Sequence, residues 1–155
     1  MILSAQLKEH LKGPKSLFVG TRDKDFNCDA VRVLGAGSSG HDTIKFFIAE
    51  KTAGKTLDNM RSNKLVSLSV TNIFTSESYQ FKGRFLSARA TNEEEANAVF
   101  EYIGQFEEAV SGMGYPKGLV ADHILYKPAL AIEFVVDQIF EQTPKVGTGQ
   151  KLTTV

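Results

Sequence analysis

The chain has 155 residues, 42% hydrophobic and 23% charged, with 18 basic and 18 acidic side chains, so residues 1–155 are expected to form one domain with no bias toward nucleic acid or an anionic membrane. The lone cysteine, Cys28, excludes an internal disulfide, and with only three histidines beside it no zinc-ligand spacing exists, so no metal site is expected. No signal-peptide pattern and no apolar run of about 18 residues occurs, which predicts a soluble, cytoplasmic protein.

In chain order, Ser4 is expected to cap a short helix in which Leu7 and Leu11 are spaced i, i+4, and Gly13-Pro14 stops it. Strands are predicted at 16–22 and 28–35, parted by the turn residues Asp23-Lys24-Asp25. Gly35-Ala36-Gly37-Ser38-Ser39-Gly40 matches the dinucleotide fingerprint G-x-G-x-x-G, but that fingerprint requires a helix next. The following segment, 43–49, is dominated by β-branched and aromatic residues and predicts a strand, so the glycines are assigned to a hairpin loop.

Next comes Ala53-Gly54-Lys55-Thr56. A Walker A loop would need glycine where Ala49 stands, which excludes the nucleoside-triphosphate motif. The segment still leaves a strand and opens a short helix. Thr56 is expected to cap the first turn, while backbone N–H groups and Lys55 face a volume suited to one phosphate. An ordinary capped helix with a solvated lysine accounts for the same residues.

Further strands are predicted at 64–72, 77–89 and 129–141, with a turn at Thr75-Ser76. Between the last two lies one long helix. Thr91-x-x-Glu94 has the capping-box pattern, Ala96, Val99, Phe100, Ile103, Phe106 and Val110 form an apolar stripe, and Gly112 and Gly114 end the helix. Successive strands joined by hairpins, with a single crossover-length helix, predict a mainly β protein built on an antiparallel barrel. Charge is unevenly distributed: residues 1–90 hold 14 basic against 8 acidic side chains and the remainder 4 against 10, so an anionic cofactor group is expected in the first part.

Taken together, the Gly-Lys-Thr turn with its short helix, Asn63-Lys64-Leu65-Val66-Ser67-Leu68 and Ser78-Tyr79-Gln80-Phe81-Lys82-Gly83-Arg84 resemble the pyridoxamine 5′-phosphate oxidase-like FMN-binding split-barrel proteins. The likeness runs from about residue 4 to about residue 147, and Phe140-Glu141-Gln142-Thr143-Pro144 before Gly147 is similar to the tail of uncharacterised members. It implies a six-stranded antiparallel split β-barrel with one long helix and short helices, a homodimer, and FMN held at the subunit interface. By the same resemblance, Arg32 serves the phosphate and flavin edge, Lys55 and Thr56 the phosphate, and Ser78 or Gln80 the flavin ring. The oxidases carry two cations in the turn where this chain has Lys55-Thr56, and an Arg-x-His motif near the C-terminus, whereas here no arginine follows Arg89 and no histidine follows His123. Oxidation of pyridoxamine 5′-phosphate is therefore not expected, and no catalytic residue is assigned.

Three functions remain open. The first is an FMN-dependent oxidoreductase acting on an unidentified small molecule with a donor such as NAD(P)H. The second is a flavin-binding or electron-transfer module without turnover. The third is a haem-binding split barrel with His41 or His123 as ligand.

Overall fold

The computed structural model describes residues 2–152. Six strands, β1 (Lys15–Arg22), β2 (Cys28–Ser38), β3 (Thr43–Ala49), β4 (Leu65–Asn72), β5 (Ser78–Ala90) and β6 (Ala129–Glu141), close into a barrel in the order β1-β2-β3-β6-β5-β4. All neighbours are antiparallel, and pairing of β1 with β4 completes the ring, so no sheet edge is left open. Four helices flank it: α1 (Ala5–His10), α2 (Gly54–Asn63), α3 (Glu93–Gly112) and α4 (Leu119–His123).

The period of two in the sequence sets the two faces. Leu17, Val19, Val66, Leu68, Val70 and Phe81 point into the barrel and are buried. Phe46 and Phe134 meet edge to face there, with ring centroids 5.9 Å apart. Each fully buried phenylalanine contributes about 1.5–3 kcal/mol of burial free energy before entropic costs. Phe18, Ala30 and Arg32 alternate with these inner residues and lie on the outer face, where Phe18 and Arg32 are register partners.

The strands match the predicted ones closely, with one difference at the glycine run. β2 continues to Ser38, and the irregularity between Val33 and Ala36 is a bulge inside the strand rather than a hairpin loop. Gly35 occupies it with φ of +119°, a conformation open to glycine. The turn itself is confined to 39–42. A second register shift falls at Gly83, where a Cβ would collide with the carbonyl oxygen of Val135 on β6.

Two expectations for α3 are corrected. Its N-cap is Asn92, not Thr91: Asn92 accepts from the Glu95 N–H and Glu95 accepts from the Asn92 N–H, at 2.8 and 3.0 Å. Both frames satisfy the capping pattern, and the ion pairs of Glu95 with Arg89 and Lys45 select the observed one. Within the stripe, Phe100 is 65% exposed and Tyr102 takes the buried place, its hydroxyl donating to the Lys15 carbonyl at 2.7 Å. The expected cap and stop of α1 are present: Ser4 Oγ accepts from the Leu7 N–H, and Gly13 follows with positive φ.

Candidate functional site

The outer faces of β1, β2, β4, β5 and β6 enclose a groove of about 630 Å³, within the roughly 300–1,000 Å³ typical of small-molecule sites. Gly20, Ala30 and Ser67 keep its floor low, and Leu65 adds an apolar rim that is 41% exposed. Gln80 and Gln138 place side-chain amides along the β5–β6 side. Arg22 and Lys82 supply the cations, Arg22 resting 4.4 Å above the Phe26 ring and Lys82 4.7 Å from that of Phe140. Asp137 on the wall is held by Arg84 through two bonds of 3.0 and 3.2 Å, so its charge is compensated.

At the Arg22 end of the groove stands α2. Its N-cap is Ala53, and no side chain caps its first turn, which corrects the expected capping role of Thr56. Thr56 is fully buried and donates instead to the Asp29 carboxylate at 2.5 Å. Asn59 donates to Thr21 at 3.0 Å and Asn63 to the Arg22 carbonyl at 2.6 Å, so three polar contacts fasten the helix to β1 and β2. Lys55, in contrast, is exposed and makes no ion pair among the described residues. The Asp23 carboxyl in the β1–β2 turn lies below the ordinary carboxylate range, chiefly through hydrogen bonds from Asn27, with a minor contribution from the charge of Lys55. This places Lys55 at the same end of the barrel as that turn.

The five residues expected at the site are thus distributed. Gln80 lines the groove, Lys55 is exposed on the first turn of α2 and is not among the lining residues, and the Thr56 hydroxyl is engaged by Asp29, itself a groove residue. Ser78 is buried beneath the chain's own tail: its Oγ lies 2.8 Å from Thr71 Oγ1 and 3.0 Å from the Ser76 carbonyl, and Thr143 Oγ1 accepts from its N–H. Arg32 lines a different cavity, of about 430 Å³, between the outer face of β2 and helices α3 and α4. Its guanidinium sits 4.8 Å from the Phe18 ring and 5.8 Å from that of Phe106. Its Nη1 is buried and without a hydrogen-bond partner. Nearby, burial pushes the Tyr102 hydroxyl up to about 12 against the opposing charge of Arg32.

Arg22, Lys82 and Gln138 escaped the sequence reading. Strand alternation could have found Lys82, two residues after Gln80 on the same face, but Arg22 and Gln138 enter through register across the barrel. Of the histidines considered as ligands, His41 lies exposed in the β2–β3 turn, and His123 is exposed with its Nδ1 3.0 Å from the Leu119 carbonyl. Among the described residues, no three metal-ligating side chains cluster, and no helix is long and apolar enough to cross a membrane.

No family model matches the sequence, and no curated protein matches it. Solved structures do match the fold. HupZ of Group A Streptococcus is similar at 14% identity with a TM-score of 0.57, covering 96% of this chain and 99% of that one. An F420 reductase is similar at 11% identity and TM-score 0.56, covering 88% and 98%. A candidate pyridoxamine 5′-phosphate oxidase of Lactobacillus delbrueckii gives 12% identity and TM-score 0.56, covering 90% and 93%. The chain has the split-barrel fold of the pyridoxamine 5′-phosphate oxidase-like proteins.

Proposed function

We propose that this protein binds FMN in the outer-face groove and acts as an oxidoreductase on a small molecule. The observation that carries the proposal is the groove itself: a floor of small residues, amides of Gln80 and Gln138 on one side, and the cations Arg22 and Lys82 in its lining, with Lys55 exposed on the neighbouring α2. The chemistry of these donors fits the group. Gln80 and Gln138 can hydrogen-bond the carbonyls and nitrogens of a flavin edge, while Lys55 and Arg22 can hold a phosphate. Bound FMN would supply one- and two-electron redox chemistry, and the protein's part is to fix the ring, exclude water and choose the substrate. Lys55 would carry most of the discrimination for the phosphate because it is exposed and forms no direct ion pair among the described residues, the Asp23 carboxyl feeling its charge only weakly. Thr56 supports the site indirectly by holding Asp29 against α2.

The groove is open along one side, and exposed apolar side chains border it. Leu65 and Phe18 on the same outer face are each 41% exposed. A second copy of the chain covering this face would bury them and complete the cofactor site, which makes a homodimer part of the proposal. Titrating the purified protein with FMN and with riboflavin, followed by absorption and flavin fluorescence, tests it. FMN is expected to bind at least about tenfold more tightly, the value of one charge-assisted contact. Equal affinities, or a Soret band in place of flavin absorption, would contradict it. NAD(P)H consumption with a panel of acceptors then separates an oxidoreductase from a flavin-binding module without turnover.

A further inference from the structure

The cavity holding Arg32 shares no lining residue with the groove, so it is considered apart from the flavin proposal. Its walls are mostly apolar, chiefly Ile73, Phe106, Val110, Val120 and Ile124, with Tyr115 and His123 as the polar side chains beside Arg32. No acidic side chain lines it, and Arg32 forms no ion pair or hydrogen bond among the described residues. A guanidinium is never neutral in a protein, and a buried N–H without an acceptor is costly. The Phe18 and Phe106 rings meet the cation, at 4.8 and 5.8 Å, but aromatic faces attract the charge without accepting along the Nη1–H direction. The cavity therefore presents a half-buried guanidinium whose buried Nη1 lacks an acceptor, in a mostly apolar lining.

We infer that this cavity binds a small organic carboxylate with an apolar body, the carboxylate on Arg32 and the body against the α3–α4 wall. A monoanion is favoured over a phosphate ester because Arg32 is the one permanently charged cation in the lining among the described residues, and a dianion would leave one charge without a guanidinium to balance it. About 430 Å³ is enough for one ring or a short alkyl chain. The mouth supports an apolar body as well: Met113, Tyr115 and Leu119, at the turn between α3 and α4, are 43%, 56% and 38% exposed and would be covered by such a ligand.

Calorimetric titration of the full chain with benzoate, 3-phenylpropionate and hexanoate, each against its primary amide, tests the inference. At least one acid should bind about tenfold or more tightly than its amide, and Arg32→Met, which keeps the length of the stem, should abolish that preference. The ligand-free Tm of Arg32→Met should equal or exceed that of the wild type, since an uncompensated charge is removed. Absence of any acid-over-amide preference, or its persistence in Arg32→Met, would overturn the inference. So would a ligand-free Tm lowered by more than about 5 °C, which would mark Arg32 as a structural partner of Phe18. FMN titrated separately into the same variant distinguishes the two sites: loss of FMN binding there would put Arg32 on the cofactor and overturn the carboxylate assignment, whereas failure of FMN to bind the wild type would overturn the flavin proposal alone.

Discussion

Lys55 and Thr56 are adjacent in sequence and opposite in circumstance, and substitutions should separate them. Lys55 is exposed and forms no ion pair among the described residues, so Lys55→Ala should leave Tm within a few degrees while weakening FMN binding about ten- to a hundredfold and riboflavin binding little. Thr56 is buried against Asp29. Thr56→Val should cost about 1–3 kcal/mol by leaving that carboxylate without its donor, measurable in urea unfolding as a lower midpoint. An intact midpoint in Thr56→Val would show that Asp29 finds water instead. Glu95 offers a pH test. Hydrogen bonds from Arg89 outweigh the opposing effect of burial, and together with Lys45 and the Asn92 N–H they hold its carboxyl at about 2. A carboxyl depressed in the folded state contributes stability above its unfolded value of 4.5 that is lost as pH falls toward 2. Tm should therefore drop across that window in the wild type and less steeply in Glu95→Gln, a comparison thermal scans can make directly.

At the scale of elements, the β5–β6 pairing depends on Gly83. A side chain there meets the Val135 carbonyl, so Gly83→Ala should destabilise by about 1–3 kcal/mol or prevent soluble expression. A wild-type Tm in that variant would mean that the register shift relaxes without cost. Strand positions were legible in the sequence because each strand pairs an alternating apolar pattern with short turns of Asp, Gly or Ser, signals that act within a few residues. What was hidden depends on distant partners. Thr91 and Asn92 both begin a capping pattern, and the choice is made by Arg89 together with Lys45, the latter 50 residues from Glu95. The stripe favoured Phe100 over Tyr102 because hydropathy cannot see a hydroxyl that reaches the Lys15 carbonyl. Thr56 and Asp29 are 27 residues apart, so the engagement of that hydroxyl had no local trace. Arg32 was legible as a residue of the second strand, but its roof of α3 and α4 was not.

For the molecule as a whole, a barrel closed on itself leaves its outer face as the surface that can be shared. If a second copy covers the groove, sedimentation at micromolar protein should give about 34 kDa, twice the 17.0 kDa chain. A monomer that still binds FMN would remove the shared site while leaving the groove. The most direct test of the central claim is the absorption spectrum of the purified protein during FMN titration, with riboflavin as control. The account predicts a saturable perturbation of the flavin bands and a preference of about tenfold or more for FMN, lost in Lys55→Ala. Unperturbed flavin bands at saturating FMN, or equal affinity for FMN and riboflavin, would contradict it.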